Sequence, residues 1–324
     1  MKVSSLLPPC SFSAVPAAPH DRAEIAALLA RCGLGREHFR VETGEFFVVR
    51  EQPHVAACAA IERRGEVALL RSVAVDPARR AEGLGRAVVL AALHRALEAG
   101  VREVWLRSED AQDYWALHGF RIAPSQAAPA ALLEVQELES QELDGRRGAP
   151  ATLMRLDLSA GLLVRPAEKA DMAQVLAIYN HEVRTSTSTY QYAERTLEEQ
   201  VAQWELKRSD GHGFFVATTL DGRIAGYATY GLFRPREGWR FTCEHSVYLH
   251  ADWRGRGVGK LLMAPVMAHA RRRGFHVMVG VVDAANEASV RLHRSLGFDV
   301  AGIIKEGGYK FDRWLDVALL QARL

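Results

Sequence analysis

The sequence predicts an α/β protein in which one fold, a sheet with flanking helices, is used twice in tandem. Three observations lead there. The chain has 324 residues, 48% of them hydrophobic and 25% charged, which is ordinary globular composition and a length suited to about two domains. It contains an internal repeat: aligned without a gap, Ser72, Val73, Arg80, Gly83, Gly85 and Gly100 fall on Ser246, Val247, Arg254, Gly257, Gly259 and Gly274. In both copies β-rich and helix-forming segments follow one another in the same order and close on a Gly-Phe pair, Gly119-Phe120 and Gly297-Phe298.

In chain order, the first copy spans 12–158. Leu70-Arg-Ser-Val-Ala-Val75 is a β-rich run that passes through Asp76-Pro77 into a loop reading Arg80-Ala-Glu-Gly83-Leu-Gly85. A helical stretch follows to Gly100, then a short apolar strand from Val101 to Leu106, then a helix ending at Gly119-Phe120. Glu137 to Pro150 is the most loop-like stretch, and Ala151 to Asp157 reads as the last strand. The linker, Leu158 to Gly161, is too short for a free tether. The second copy, 161–324, opens on a strand from Leu162 to Pro166 and carries the matching run Glu244-His-Ser-Val-Tyr-Leu249. Its loop is Arg254-Gly-Arg-Gly257-Val-Gly259. A helical stretch to Gly274, a strand from Phe275 to Val282 and a helix ending at Gly297-Phe298 complete it.

Composition excludes several classes. With 41 Lys+Arg against 39 Asp+Glu, a net charge of +2 and a pI of about 8.4, there is no electrostatic footprint for nucleic acid. Arg, Glu or His interrupts every apolar stretch well before the roughly 20 residues that cross a bilayer, so no membrane partner is expected. Met1 to Cys10 holds two prolines and falls short of a secretory segment. Cys10, Cys32, Cys58 and Cys243 show neither disulfide-framework nor zinc-ligand spacing, so the expectation is no metal and a reducing cytoplasm.

A strand that runs into a glycine-rich turn opening a helix gathers free backbone N–H groups and the positive end of the helix dipole, which suits a pyrophosphate. A dinucleotide fingerprint would read Gly-x-Gly-x-x-Gly, an order neither copy has. Arg-x-x-Gly-x-Gly occurs twice, each time after Ser-Val-x-[Val/Leu] and before a strand, a helix and Gly-Phe. In these features the sequence resembles the GCN5-related N-acetyltransferase (GNAT) superfamily. The second copy is similar to its phosphinothricin and methionine sulfoximine N-acetyltransferases, through Ile178-Tyr-Asn-His181, Ser186-Thr-Ser-Thr189, Phe233-Arg-Pro-Arg236, Glu244-His-Ser-Val-Tyr248, His276-Val-Met278, Ser289-Val-Arg-Leu-His293 and Lys310-Phe-Asp-Arg-Trp-Leu-Asp316. The first copy more distantly resembles acetyltransferase-like proteins associated with arsenic resistance, through Leu69 to Pro77 and Ala151 to Met154.

The resemblance implies, for each copy, a mixed and mostly antiparallel twisted sheet splayed at its fourth strand, with acetyl-CoA as cosubstrate. Val247, Tyr248 and Leu249 would line the acetyl-pantetheine, with the Val247 N–H as oxyanion donor. Arg254, Gly255, Arg256, Gly257, Val258, Gly259 and Lys260 would wrap the pyrophosphate, and Asn286 would bond the pantetheine. An α-amine near neutral pH is largely an ammonium, so a general base is needed. Glu244 is the candidate; its alternative is an acid paired with Arg240 or Arg254. His293 either donates a proton to the departing thiolate or merely orients the cofactor. Arg234, Pro235 and Arg236, with Glu244, His245 and Ser246, would contact the acceptor, two guanidiniums suiting a carboxylate or phosphinate. Tyr190, Trp239 and Trp314 are candidates to close the pocket. In the first copy Leu70, Trp115 and Ser108 stand at the positions of Glu244, His293 and Asn286, so Arg80, Gly83 and Gly85 keep the cradle without the matched acid and base. That copy is either structural, regulatory or CoA-binding only, or an acetyltransferase for a different acceptor in which Arg71, Glu109 or Asp110 substitutes.

The expected activity is acetyl-CoA-dependent N-acetylation of a small amino acid of phosphinothricin or methionine sulfoximine type, which would detoxify it. The alternatives are acetylation of a peptide, protein or other small amine, and a non-catalytic acyl-CoA sensor. Enzymes of the second copy's kind are often dimers, which leaves a homodimer or an intramolecular pseudo-dimer open.

Overall fold

In the computed structural model, which describes residues 12–34, 44–51, 54–130 and 151–324, the two copies fold as two seven-stranded sheets. The run Met1 to Cys10 and the expected loop Glu137 to Pro150 lie outside the described residues. The first sheet comprises β1 (Val15–Pro16), β2 (Glu45–Glu51), β3 (His54–Arg64), β4 (Val67–Val75), β5 (Glu103–Ser108), β6 (Arg121–Ile122) and β7 (Thr152–Asp157), in the order β1-β2-β3-β4-β5-β7-β6. In chain order its helices are α1 (Arg22–Arg31) and α2 (Leu84–Glu98), and α3 (Gln112–Ala116) lies between β5 and β6. The second comprises β8 (Leu163–Pro166), β9 (Phe214–Thr218), β10 (Ile224–Leu232), β11 (Thr242–Leu249), β12 (Val277–Asp283), β13 (Asp299–Lys310) and β14 (Arg313–Arg323), in the order β13-β14-β12-β11-β10-β9-β8. Its helices are α4 (Met172–Thr185), α5 (Leu197–Ser209), α6 (Val258–Arg272) and α7 (Glu287–Arg294). The described residues divide into two compact units, one within Met1–Gln112 and Phe120–Leu163, the other within Asp113–Gly119 and Val164–Leu324.

Antiparallel neighbours dominate each sheet, with a parallel pair at its middle, β4 with β5 and β11 with β12. The helices that follow the glycine-rich loops, α2 and α6, are both 15 residues long and superpose in the gapless alignment. In the second unit α4 and α5 bury Met172, Val175, Ile178, Tyr179, Val183 and Trp204 against Phe214, Val216, Ile224 and Tyr227 of the sheet. Period-two alternation sends successive β11 side chains to opposite faces. Tyr248 thus packs on Tyr179 and Tyr227, while His245 packs on His293 and Phe298.

The strands expected from Val101 and Phe275 begin two residues later, at Glu103 and Val277. The reason is a helix stop. Val101 N–H donates to the Ala96 carbonyl at 3.0 Å and Phe275 N–H to the Ala270 carbonyl at 3.1 Å, bonds that close the preceding helix and are spent before the ladder starts. Each stop turns on a left-handed glycine, Gly100 at φ 75° and Gly274 at φ 83°. No atom lies within 4 Å of a Cβ added to Gly274, so Gly274→Ala tests backbone strain alone. The expected loss is about 1–2 kcal/mol, read from the midpoint and slope of urea unfolding.

Candidate active site

The site begins where two strands part. β11 pairs with β12 only at Thr242–Val277, Cys243–Met278 and Glu244–Val279. On its other side β11 remains paired with β10 as far as Leu249, and β12 remains paired with β14 as far as Asp283. From His245 onward the β12-facing edge of β11 therefore has no strand partner, and a free edge presents backbone N–H and C=O groups. Two adjoining cavities of about 190 and 710 Å³ open there, sharing Ser188, Val247, Tyr248, Asn286 and Ser289 in their walls.

The larger cavity is walled by Leu249, Arg254, Gly255, Gly257, Val258, Gly259 and Lys260, among others. Gly257 caps α6, and no atom lies within 4 Å of a Cβ added to Gly255 or Gly257, so the main chain is open to the cavity. Open backbone at a helix N-terminus, with Arg254 and Lys260 beside it, fits a pyrophosphate. Arg256 stacks on Trp253 at 5.3 Å and is not part of this wall. Arg254, half exposed, is ion-paired with the buried carboxylate of Glu182, a residue the sequence motifs did not single out. Asn286 Oδ1 accepts from Ser289 N–H at 3.0 Å, capping α7.

Glu244, His245 and Ser246 wall the smaller cavity, with Thr187 to Tyr190 among the residues facing them. Burial pushes the Glu244 carboxyl above its ordinary value of 4.5, opposed by the positive charges of Arg234 and Lys207. Neither Arg240 nor Arg254 pairs with it: Arg240 bonds the Glu237 carbonyl and lies over Phe241, and Arg254 goes to Glu182. Arg234, Pro235 and Arg236 line neither cavity; Arg234 lies over the Phe233 ring at 4.7 Å. Of the three aromatics considered, Tyr190 lines the pocket, Trp239 packs on Phe233, and Trp314 is 63% exposed beside Tyr309.

The 186–190 loop is tied from several directions. Lys310 Nζ, on a residue only 2% exposed, donates to the Ser186 and Thr189 carbonyls at 2.8 and 2.7 Å, and Thr187 Oγ1 donates to Asp283 at 2.6 Å. Lys207 carried no local signal, since it bonds the Tyr230 carbonyl 23 positions on, and Asp283, besides a local bond from Ala285 N–H at 2.9 Å, takes Thr187 from 96 positions away. Lys310 lay inside a recognised motif whose spacing says nothing of what it bonds.

His293 is 2% exposed and His245 is 6% exposed, and their Nε2 atoms are 3.0 Å apart. His293 Nδ1 lies 2.7 Å from the Ser289 carbonyl, which can only accept, so the proton is on Nδ1 and His293 Nε2 is an acceptor. His245 Nε2–H must then donate to it, leaving His245 Nδ1 buried without a hydrogen-bond partner. Burial, reinforced by the neighbouring His293, pushes His245 down to about 3, and burial also lowers His293. Both rings are neutral near pH 7. They fit because position 280 has no side chain: a Cβ there would sit 2.6 Å from His293 Nε2 and 3.0 Å from His245 Nε2.

The first copy repeats the scaffold. β4 and β5 pair only at Val67–Glu103, Ala68–Val104 and Leu69–Trp105 before parting. Gly83 caps α2, Gly85 is in its first turn, and Arg80 opens the loop directly after the 3-10 turn Pro77–Arg79. Leu70 and Trp115 are both buried, and Ser108 Oγ accepts from Ala111 N–H at 3.0 Å. The carboxylate of Glu62, on β3, is buried and bonded by Arg71 and Arg64.

This architecture, a sheet parted at its central parallel pair with a glycine-rich helix start at the parting, is that of an acyl-CoA-dependent transferase. The chain matches the acetyltransferase (GNAT) family over residues 4–120 and 175–298 and belongs to that family. An L-methionine sulfoximine/L-methionine sulfone acetyltransferase from Pseudomonas paraeruginosa is 40% identical over 161 residues, 50% of this chain and 94% of that protein. A phosphinothricin N-acetyltransferase from Alcaligenes faecalis is 36% identical over 162 residues, 50% of this chain and 82% of its own. The structure of an acetyltransferase from Salmonella typhimurium with its cofactor acetyl-CoA aligns at a TM-score of 0.50 and 38% identity, covering 51% of this chain and 94% of that one. The protein is an N-acetyltransferase that moves acetyl from acetyl-CoA to an amine.

Two outcomes follow from the histidine pair. Gly280→Ala drives a methyl into both rings and costs about 1–3 kcal/mol in urea unfolding. His245 titrates near its ordinary 6.5 when unfolded but near 3 when folded, so it contributes stability that is present above pH 6.5 and lost as pH falls from there toward 3. Urea midpoints measured across that range should fall with pH, and His245→Gln should flatten the fall.

Proposed function

We propose that the second copy, 161–324, acetylates the α-amine of a small amino acid of phosphinothricin or methionine sulfoximine type, with Glu244 as general base. The observation that carries this reading is the position of Glu244. It is the last β11 residue paired with β12, at the mouth of the free edge, in the wall of the smaller cavity and beside the larger. The names of the two relatives support the acceptor class.

Acetyl-CoA, when bound, supplies the thioester carbonyl to be attacked. The acceptor arrives largely as an ammonium, and Glu244 takes its proton directly or through a water. Val247, on the unpaired edge, offers a main-chain N–H to the developing oxyanion. Arg254, Gly255, Gly257 and Lys260 hold the pyrophosphate and Asn286 the pantetheine; Arg234, which lines neither cavity but whose charge reaches Glu244, attracts the acceptor's acidic group from outside the wall. His293 orients rather than protonates: Nδ1–H is committed to Ser289 and Nε2 accepts from His245. Removing the charge on the α-amine detoxifies such a compound. The first copy, with Leu70 and Trp115 at the two chemical positions, retains a cradle at Arg80, Gly83 and Gly85 for binding or support.

Release of free CoA thiol from acetyl-CoA, with phosphinothricin and methionine sulfoximine as acceptors, tests this. Glu244→Gln should lower kcat about 10²–10⁴-fold with the fold intact. Because the carboxyl is raised by burial and must be ionised to act, kcat/KM should fall as pH drops through a value above 4.5, and this limb should vanish in the variant. Undiminished turnover in Glu244→Gln overturns the assignment of the base, and tight acetyl-CoA binding without turnover on either acceptor overturns the acceptor.

A further inference from the structure

One buried carboxylate is bonded to both ends of the site. Glu182, near the C-terminal end of α4, has a side chain only 4% exposed. Its Oε1 accepts from the Arg254 guanidinium, which opens the glycine-rich loop and walls the larger cavity. Its Oε2 accepts from Ser186 Oγ–H at 2.5 Å. Ser186 starts the loop whose residues 187–190 wall the smaller cavity.

A carboxylate taken out of water is stable only when paired and fully hydrogen-bonded, so the three groups are held to one joint geometry. A guanidinium carries five N–H donors, and the bond to Glu182 engages one nitrogen, which leaves donors for a phosphate. Fixing Arg254 on a phosphate restricts Glu182, and a restricted Glu182 restricts Ser186. Binding at one end thereby makes local opening at the other costlier, which is a coupling that acts reciprocally.

We propose that Glu182 is a positioning residue that couples the cofactor loop to the acceptor-side loop, so that binding of acetyl-CoA suppresses local opening of residues 186–190. The inference rests on the reading above for where the pyrophosphate and the acceptor lie. Its test uses no acceptor, so a wrong acceptor assignment leaves it intact.

Hydrogen exchange of the full chain titrated with acetyl-CoA reads both ends separately: amides 258–261 report binding at the cradle and amides 186–190 report the loop. In the wild type both segments gain protection at the same half-saturating concentration. In Glu182→Gln the half-saturation at 258–261 rises at least about 5-fold, and at saturation 186–190 gains no protection. Ser186→Ala, which cuts only the loop side, binds at 258–261 within about twofold of wild type yet also shows no added protection at 186–190; it carries the test should Glu182→Gln fail to fold. Protection at 258–261 without protection at 186–190 in the wild type overturns the coupling alone, as does a Glu182→Gln response equal to wild type. A wild type unprotected at 258–261 overturns the cofactor-loop reading and the coupling with it.

Discussion

The parting of β11 from β12 after Glu244 is the constraint on which the rest of the second unit depends. A strand inside a sheet has its backbone polar groups spent on both neighbours, and a ligand can reach them only where a neighbour leaves. Here β10 holds β11 to Leu249 and β14 holds β12 to Asp283, so each diverging strand stays anchored on its far side. The glycine-rich start of α6 opens into the same gap. The pairing pattern alone thus brings a free strand edge, a helix N-terminus and the Glu244 carboxylate into adjoining cavities.

What keeps the gap in shape is polar and buried. Beneath one face the His245–His293 pair fills the wedge over Gly280, neutral because burial penalises the charged form of both rings. Over the other, Lys310 gathers two carbonyls of the 186–190 loop, Asp283 takes Thr187, and Glu182 takes Ser186 and Arg254. Each group is expensive to bury alone, so satisfied networks of this kind specify one loop position where an apolar contact would tolerate several. A histidine locked between a carbonyl and a second histidine is suited to holding geometry.

The two copies share a scaffold and differ at the two positions proposed for the chemistry. Both keep the parted parallel pair and a 15-residue helix capped by glycine, because backbone pairing and helix capping set those features and many side chains are compatible with them. At the position of Glu244 the first copy buries Leu70, and at that of His293 it buries Trp115. Its nearby buried acid, Glu62, is neutralised by Arg71 and Arg64. Both oxygens of that carboxylate are occupied, Oε1 by Arg64 and Oε2 by Arg71.

The sequence by itself determined the tandem repeat, the gapless alignment of the two central helices and the glycine-rich helix starts, because these follow from periodicity and glycine chemistry over short spans; the placing of Glu244 on a cleft-lining strand came from the family resemblance. It misplaced the starts of β5 and β12 by two residues, since a helix-closing bond competes with the ladder for the same N–H. It left Glu244 between a free base and a partner of Arg240 or Arg254, and His293 between acid and anchor. Tertiary structure decided the partners of Arg254 and of His293, because each depends on residues brought from afar: Glu182, 72 positions before Arg254, and His245, 48 positions before His293. Residues that bond within a turn leave a mark in the local pattern, whereas buried cross-links such as Glu182, Lys310 and the histidine pair are set only when separate strands and helices pack, and packing alone fixes which polar groups must satisfy one another.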